Sequence, residues 1–198
     1  MRRIIVAGIG TDVGKTIASA ILVQAIQGVY WKPVQCGNLE NSDSQVINKL
    51  TQAEYFPEAY RSRHPLSPHH AAKLEDRKID YASIQPPKTQ RPLIIEMAGG
   101  LLVPYDKDCL QIDLFSQWDA EWILVTQHYL GSINHTLLSL EAIKKRNLKL
   151  LGIVINGNSY PEAESLFCQP LIGRIHPEKS FTPEIIAGYA QTWNPQLL

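Results

Sequence analysis

The chain has little surplus of any kind. Nineteen lysines and arginines face nineteen aspartates and glutamates over 198 residues. No net positive charge is left to draw it to a phosphodiester backbone, so nucleic acid is not an expected partner. Cysteine is scarce: Cys36, Cys109 and Cys168 are odd in number and scattered, with no C-x-x-C pair. That pattern fits reduced thiols rather than a disulfide frame or a zinc site. No apolar run approaches the ~18 residues that a membrane span requires, so no membrane partner is expected. Arg2 and Arg3 precede an apolar run that meets Gly8-Ile9-Gly10 at once, which is no signal peptide. The expectation is a soluble, cytoplasmic protein, with residues 1–198 forming one domain.

What the chain does have is concentrated in Arg3–Thr16, R-I-I-V-A-G-I-G-T-D-V-G-K-T. The β-branched run Ile4-Ile5-Val6 breaks into a Gly-punctuated loop, and Gly14-Lys15-Thr16 opens a helical pattern over Ile17–Gln27. In such a loop successive backbone N–H groups form an anion concavity, the lysine reaches the β- and γ-phosphates, and the threonine hydroxyl suits Mg²⁺. The reading is a nucleoside triphosphate site. Its spacing misses the usual phosphate-loop pattern by one residue, because Gly8 and Gly14 are six apart and Ile9 stands where the first glycine is expected.

Further along, Val29–Val34 reads as a strand ended by Pro33, and Gln35–Ser44 as a loop. Asp43 would cap a short helix over Ser44–Thr51, and Gln52–Pro65 has no clear period. Ser67-Pro68 starts another helix, and Glu75–Gln90 is read as a surface helix and connector. Pro92–Glu96, Trp122–Val125, Leu150–Asn156 and Leu171–Ile175 are apolar runs suited to buried parallel strands, with helices over Ile133–Lys145 and Pro183–Thr192. Strands alternating with helices predict a doubly wound, mostly parallel α/β sheet with helices on both faces. In that architecture ligands collect beyond the carboxyl ends of the strands, where Gly8, Lys32, Glu96 and Asn156 fall.

Each candidate has two readings. Glu96 ends a buried strand and would hold Mg²⁺, or cap the Gly99 and Gly100 amides. Asp43 is a metal ligand or a helix cap. Lys32 neutralises an anionic substrate group, or snorkels from a strand edge. Asn156 reads a base edge or starts a turn. The helix opened by Gly131–His135 receives a carboxylate on free amides, or is simply capped by Ser132. His69 and His70, about a hundred degrees apart on a helix, share no face for joint metal ligation and are read as cap-flanking or pocket-lining.

G-T-D-V-G-K-T at Gly10–Thr16, W-K-P-V-Q-C-G at Trp31–Gly37, N-S-D at Asn41–Asp43, S-P-H at Ser67–His69, E-M-A-G-G at Glu96–Gly100, L-G-S-I-N-H at Leu130–His135 and V-I-N at Val154–Asn156 occur in this order over most of the chain. With these motifs the sequence resembles the dethiobiotin synthetase family, whose own phosphate loop has the same six-residue glycine step. The resemblance implies a P-loop NTPase-like fold and a ligase that uses Mg²⁺ and ATP. Its small-molecule substrates would be 7,8-diaminononanoate, CO₂ and ATP. A carbamate forms on one amine, ATP phosphorylates it to a carbamic-phosphoric anhydride, and the second amine closes the ureido ring.

By the same resemblance, Lys15, Lys32 and Thr11 are catalytic, and Thr16, Asp43 and Glu96 organise Mg²⁺. Asp12, Val13, Gly14, Lys15, Thr16, Ile17, Glu96, Met97, Ala98 and Gly99 would line the phosphates. Asn156, Gly157, His176, Pro177 and Glu178 would surround the base. Thr11, Lys32 and Cys36 would meet the diamine, whose carboxylate would rest on Leu130, Gly131, Ser132, Ile133 and Asn134 of a second subunit in a homodimer. The chain departs from the family pattern at Gly10, Asp12, Cys36, Tyr129, Gly157 and His176-Pro177-Glu178. Other readings are a related ATP-dependent amide-forming or ring-closing enzyme, a partition-type ATPase switch, and an inactive binding module. The partition ATPases carry a signature lysine where Gly10 stands.

Overall fold

The computed structural model describes residues 1–193. The Ile4-Ile5-Val6 run becomes β1 (Arg3–Gly8), the centre of a seven-stranded sheet. Its side chains alternate between two cores. Ile5 and Ala7 pack with one set of buried residues, Ile4 and Val6 with another, so neither face of the strand meets water. That is why the run is continuously apolar rather than alternating.

On the Ile4 side lie α1 (Lys15–Ala25), α2 (Asp43–Thr51) and α7 (Pro183–Thr192). On the Ile5 side lie α3 (Pro68–Leu74), α4 (Gln111–Phe115) and α5 (Ser132–Lys145). β2 (Val29–Trp31), β4 (Tyr55–Phe56), β6 (Leu93–Glu96), β7 (Glu121–Gln127), β8 (Lys149–Asn156) and β9 (Leu171–Ile175) complete the sheet in the order β4-β2-β6-β1-β7-β8-β9, every pair parallel. The doubly wound parallel sheet expected from the strand and helix alternation is the observed architecture. Its register opposes Val6 to Glu96, Trp31 to Ile95 and Gln127 to Asn156, so the strand ends that carry Lys32, Glu96 and Asn156 share one edge.

Four local expectations are corrected. Val29–Val34 is not one strand: Pro33 has no N–H to continue the ladder, and the chain restarts as β3 (Val34–Cys36) in a separate two-stranded sheet with β5 (Tyr60–Ser62). Gln52–Pro65 therefore holds two short strands. The cap of α2 is Ser42 rather than Asp43. Ser42 Oγ accepts from Gln45 N–H at 3.4 Å while Gln45 Oε1 accepts from Ser42 N–H at 2.8 Å, a reciprocal capping box. Glu75–Gln90 carries only a 3₁₀ turn, Tyr81–Ser83, because Asp76 turns left-handed (φ 52°) after α3 and Pro86-Pro87 follow. Two further helices, α4 and α6 (Pro161–Glu164), fall in stretches to which the sequence pattern assigns no element. Among the described residues no helix is long and apolar enough to cross a membrane.

Candidate active site

The loop from Ile9 to Gly14 turns tightly between β1 and α1. Asp12 (φ 57°) and Gly14 (φ 97°) both lie in the left-handed region. Gly14 has a second constraint, because a Cβ there would sit 2.7 Å from Asn156 Nδ2. Asn156 also donates from Nδ2 to Val13 O at 3.3 Å, so the end of β8 braces the back of the loop. Lys15 Nζ is folded over the loop, donating to Gly10 O at 2.7 Å. Burial lowers the Lys15 ammonium to about 8, against the raising influence of Glu96.

Opposite the loop, the ends of β2 and β6 bring a buried charge cluster together. Glu96, 1% exposed, receives four donors: Thr16 Oγ1 (3.1 Å) and Lys32 Nζ (3.1 Å) on Oε1, Ser19 Oγ (3.0 Å) and Tyr30 OH (2.9 Å) on Oε2. Asp43 accepts from Thr16 Oγ1 at 3.0 Å on one oxygen and pairs with Lys32 Nζ on the other. Burial alone would lower the Lys32 ammonium, but Glu96 and Asp43 outweigh it and hold it above the ordinary lysine range. The same pairing holds Asp43 below the usual carboxylate range, against burial. Burial and the Glu96 charge push the Tyr30 hydroxyl well up, so Tyr30 is a neutral donor to Glu96. Lys32 is therefore a buried, paired ammonium and not a snorkelling strand-edge residue.

These groups line a cavity of about 770 Å³. The P-loop contributes Thr11, Asp12, Gly14, Lys15, Thr16 and Ile17, and the β6 end contributes Glu96, Ala98 and Gly99. Lys32, Cys36 and Asp43 close one side, and Pro65, Leu66, Pro68 and Val103 add apolar wall. Burial pushes the Cys36 thiol up to about 11, so it is neutral near pH 7. The donor set suits Mg²⁺: the Thr16 hydroxyl is a hard oxygen, and an Asp43 and a Glu96 carboxylate oxygen lie 3.0 and 3.1 Å from it. Among the described residues no cluster of three or more His, Cys, Asp or Glu forms a competing metal site.

Other sequence-predicted residues lie elsewhere. Val13 and Met97 are buried, and Met97 N–H is bound to Val6 O at 3.0 Å, so neither presents a side chain to the cavity. Asn156 and Gly157 sit behind the loop at the β8 end. Gly157 is left-handed (φ 117°) with open space where a side chain would be. His176, Pro177 and Glu178 follow β9, where Tyr189 OH accepts from His176 N–H at 3.0 Å and donates to Glu178 Oε1 at 2.8 Å. Leu130 to Asn134 open α5 away from this cavity, with Leu130 fully exposed. Ser132 does not cap that helix; Gly131 occupies the cap position and Ser132 Oγ accepts from Tyr129 N–H at 3.2 Å. His69 lines a second cavity of about 420 Å³ beside Lys73 and Arg77.

Sequence reasoning missed Ser19 and Tyr30. Both carried a signal: Ser19 is three residues after Thr16 on the same helix face, and Tyr30 is two residues before Lys32 on the same strand face.

A family model described as AAA domain matches residues 2–185. The ATP-dependent dethiobiotin synthetase BioD of Chlamydia pneumoniae is 52% identical over 198 residues, covering 98% of this chain and 90% of the relative. That of Chlamydia abortus is 46% identical, covering 96% and 93%, and that of Christiangramia forsetii 42%, covering 97% and 96%. Among solved structures, the septum site-determining protein MinD of Pyrococcus horikoshii, complexed with Mg-ADP, aligns with a TM-score of 0.59 at 16% identity, covering 96% of this chain and 94% of that one. A putative plasmid partition protein from Borrelia burgdorferi bound to AMPPNP aligns with a TM-score of 0.59 at 12% identity, over the same shares of each chain. At such low identity these likenesses speak for a P-loop NTPase fold alone. Identity of 42–52% along nearly the whole length is a different matter, and by it the chain belongs to the family of ATP-dependent dethiobiotin synthetases.

Proposed function

We propose that the cavity between the P-loop and the β2 and β6 ends is where this ATP-dependent ligase of biotin biosynthesis joins CO₂ to 7,8-diaminononanoate and closes the ureido ring, releasing ADP and phosphate. The observation that carries the reading is Lys32, buried between Asp43 and Glu96 on the cavity wall, while Lys15 lies on the phosphate loop. Two ammonium groups suit a reaction in which an anionic carbamate receives an anionic phosphoryl group. Phosphoryl transfer is catalysed by positioning and charge stabilisation more than by covalent participation.

In this reading the P-loop residues Asp12 to Ile17 and the Glu96 to Gly99 segment cradle the phosphates. Met97 takes part only by holding the segment to β1, and Val13 only through its backbone. Lys15 leaves Gly10 O to meet the triphosphate, and Lys32 neutralises the carbamate. Thr11 and Cys36 flank the diamine, whose aliphatic chain fits the wall of Pro65, Leu66 and Val103. Thr16, Asp43 and Glu96 would hold Mg²⁺, which supplies charge neutralisation on the phosphates. The second amine displaces phosphate from the carbamoyl carbon and completes the ring.

We place Asn156, Gly157 and the His176-Pro177-Glu178 turn around the base. Without a side chain at Gly157, triphosphates other than ATP are expected to serve as well. The substrate carboxylate is assigned to Leu130, Gly131, Ser132, Ile133 and Asn134 of a second subunit in a homodimer. Exposed Tyr129 and Leu130 just before α5, and Leu137 and Leu138 on it, support that assembly by leaving apolar side chains on the surface there. Residues 1–198 are taken as one domain, and the free Cys36, Cys109 and Cys168 fit a cytoplasmic location.

The test is phosphate release by the purified chain with ATP, Mg²⁺, bicarbonate and 7,8-diaminononanoate, each omitted in turn. Release that requires all four supports the reading. Release indifferent to the diamine would point to an ATPase switch, and no release at all to an inactive binding module.

A further inference from the structure

One fully buried polar side chain outside the charge cluster holds a whole wall of the cavity. Gln111 is the first residue of α4 and 0% exposed. Its Oε1 accepts from Ala98 N–H at 2.8 Å and from Tyr105 OH at 3.2 Å. Its Nε2 donates to Ala98 O at 2.9 Å and to Gly100 O at 3.2 Å. Both donors and both acceptor lone pairs of the amide are used. Its backbone N–H donates to Val103 O at 2.8 Å.

Residues 98 to 103 belong to no helix or strand; beside the Ile112 N–H on Leu101 O (3.2 Å) and the Val103 N–H on Gly100 O (3.3 Å), the bonds that fix them come from Gln111. The segment includes Ala98, Gly99 and Val103 of the cavity wall, and Gly99 is left-handed (φ 66°). A Cβ on Gly99 would lie 3.4 Å from Thr11 Oγ1, and one on Gly100 3.5 Å from Ile9 O, so the segment is packed directly on the P-loop. Buried polar side chains that meet every hydrogen bond fix one backbone arrangement, and removing one leaves several buried groups unpaired.

We propose that Gln111 is a positioning residue for ring closure: by clamping Ala98 to Val103 it keeps water from the carbamoyl carbon until the second amine attacks. The inference rests on the proposed reaction. In the productive step the amine nitrogen bonds to the carbamoyl carbon, the bond from that carbon to the phosphate oxygen breaks, phosphate leaves with the electron pair, and the amine loses a proton. In the failed step a water oxygen takes the place of the amine. The same bond breaks, phosphate and a proton are released, and a carbamate remains without a ring. A displaced wall raises the share of the failed step, as expected when a site no longer excludes water from a reactive intermediate.

The test measures phosphate and dethiobiotin in the same reaction for the wild-type chain, Gln111→Met and Gln111→Asn. The ratio of the two products does not depend on how much enzyme is folded, so it separates positioning from a general loss of structure. Wild type is expected to release one phosphate per ring, and Gln111→Met about two or more, because its side chain has a similar length and none of the four hydrogen bonds. Gln111→Asn keeps the amide but is too short to span Ala98 and Gly100, so its ratio also exceeds that of wild type. A wild-type ratio in Gln111→Met overturns the inference, and should that variant fail to fold, a wild-type ratio in Gln111→Asn does so. Absence of diamine-dependent release by wild type would instead overturn the reaction itself, and this inference with it.

Discussion

Lys32 and Glu96, 64 residues apart in sequence, meet at 3.1 Å inside the protein, each at the carboxyl end of a neighbouring parallel strand. The same Lys32 ammonium pairs with Asp43, the first residue of α2. A lysine so placed has lost most of its hydration and is held by carboxylates that also receive the Thr16 hydroxyl. On the proposed reaction, Lys15→Ala and Lys32→Ala should each lower turnover by more than ~10²-fold, because each removes a positive charge that would face the transferring group. Lys32→Ala should also lower the thermal midpoint, since it strands Asp43 and Glu96 unpaired. Steady-state kinetics and a melting curve check both; near-normal turnover in the Lys32 variant would reduce that lysine to a structural ion-pair partner.

Asp43→Asn tests the metal set. It keeps an oxygen beside Thr16 but removes a charge from the proposed ligands, so the Mg²⁺ concentration for half-maximal rate should rise about tenfold or more. Titrating Mg²⁺ at fixed ATP measures this, and an unchanged midpoint would remove Asp43 from the metal ligands. Chelation of the metal should abolish turnover in wild type, and added Mg²⁺ should restore it.

Ser42→Ala tests the cap that carries Asp43. Losing the bond that Ser42 Oγ accepts from Gln45 N–H, while the Ser42 N–H keeps Gln45 Oε1, should cost about 1 kcal/mol in urea unfolding. Ser42 does not itself line the cavity, so the loss should appear in stability before it appears in rate. A cost near zero would mean that water replaces the cap fully.

Much of the site was legible because it lies where apolar strands stop. Lys32, Glu96 and Asn156 each follow a buried run, and a polar residue in that position is costly unless it is used. The Gly14-Lys15-Thr16 turn was legible for the same reason, a strand breaking into glycine. What could not be read were partners brought together only by folding. Tyr30 looks like any aromatic in a strand until Glu96 lies beside it, and Gln111 opens a five-residue helix with no visible period. The Glu75 to Gln90 helix failed on backbone grounds, because charge pattern says little about where a left-handed Asp76 will end a helix. Ser42 was missed although S-D-S-Q is a capping-box pattern, since Asp43 drew attention as an acceptor.

The pH response has a defined sign at the far end of the sheet. Burial would raise the Glu164 carboxyl, but Arg174 Nη2 at 2.7 Å, Tyr160 N–H at 2.7 Å and His128 Nε2 at 3.0 Å bring it down to about 2. A depressed carboxyl contributes stability that is full above its unfolded value, 4.5, and is lost as pH falls toward the folded value. The gap in thermal midpoint between wild type and Glu164→Gln should therefore be wide near pH 6 and narrow steadily below pH ~4.5. A gap independent of pH would mean that the carboxylate charge contributes nothing.

Construction of a ureido ring from CO₂ in this cavity would place the bicarbonate carbon in the product. It is tested most directly by supplying ¹³C-bicarbonate with ATP, Mg²⁺ and 7,8-diaminononanoate and weighing the product by mass spectrometry. The expected product is dethiobiotin carrying one labelled carbon, formed only when ATP is present and absent with Lys15→Ala. Phosphate released without any labelled ring in the wild-type reaction would contradict it.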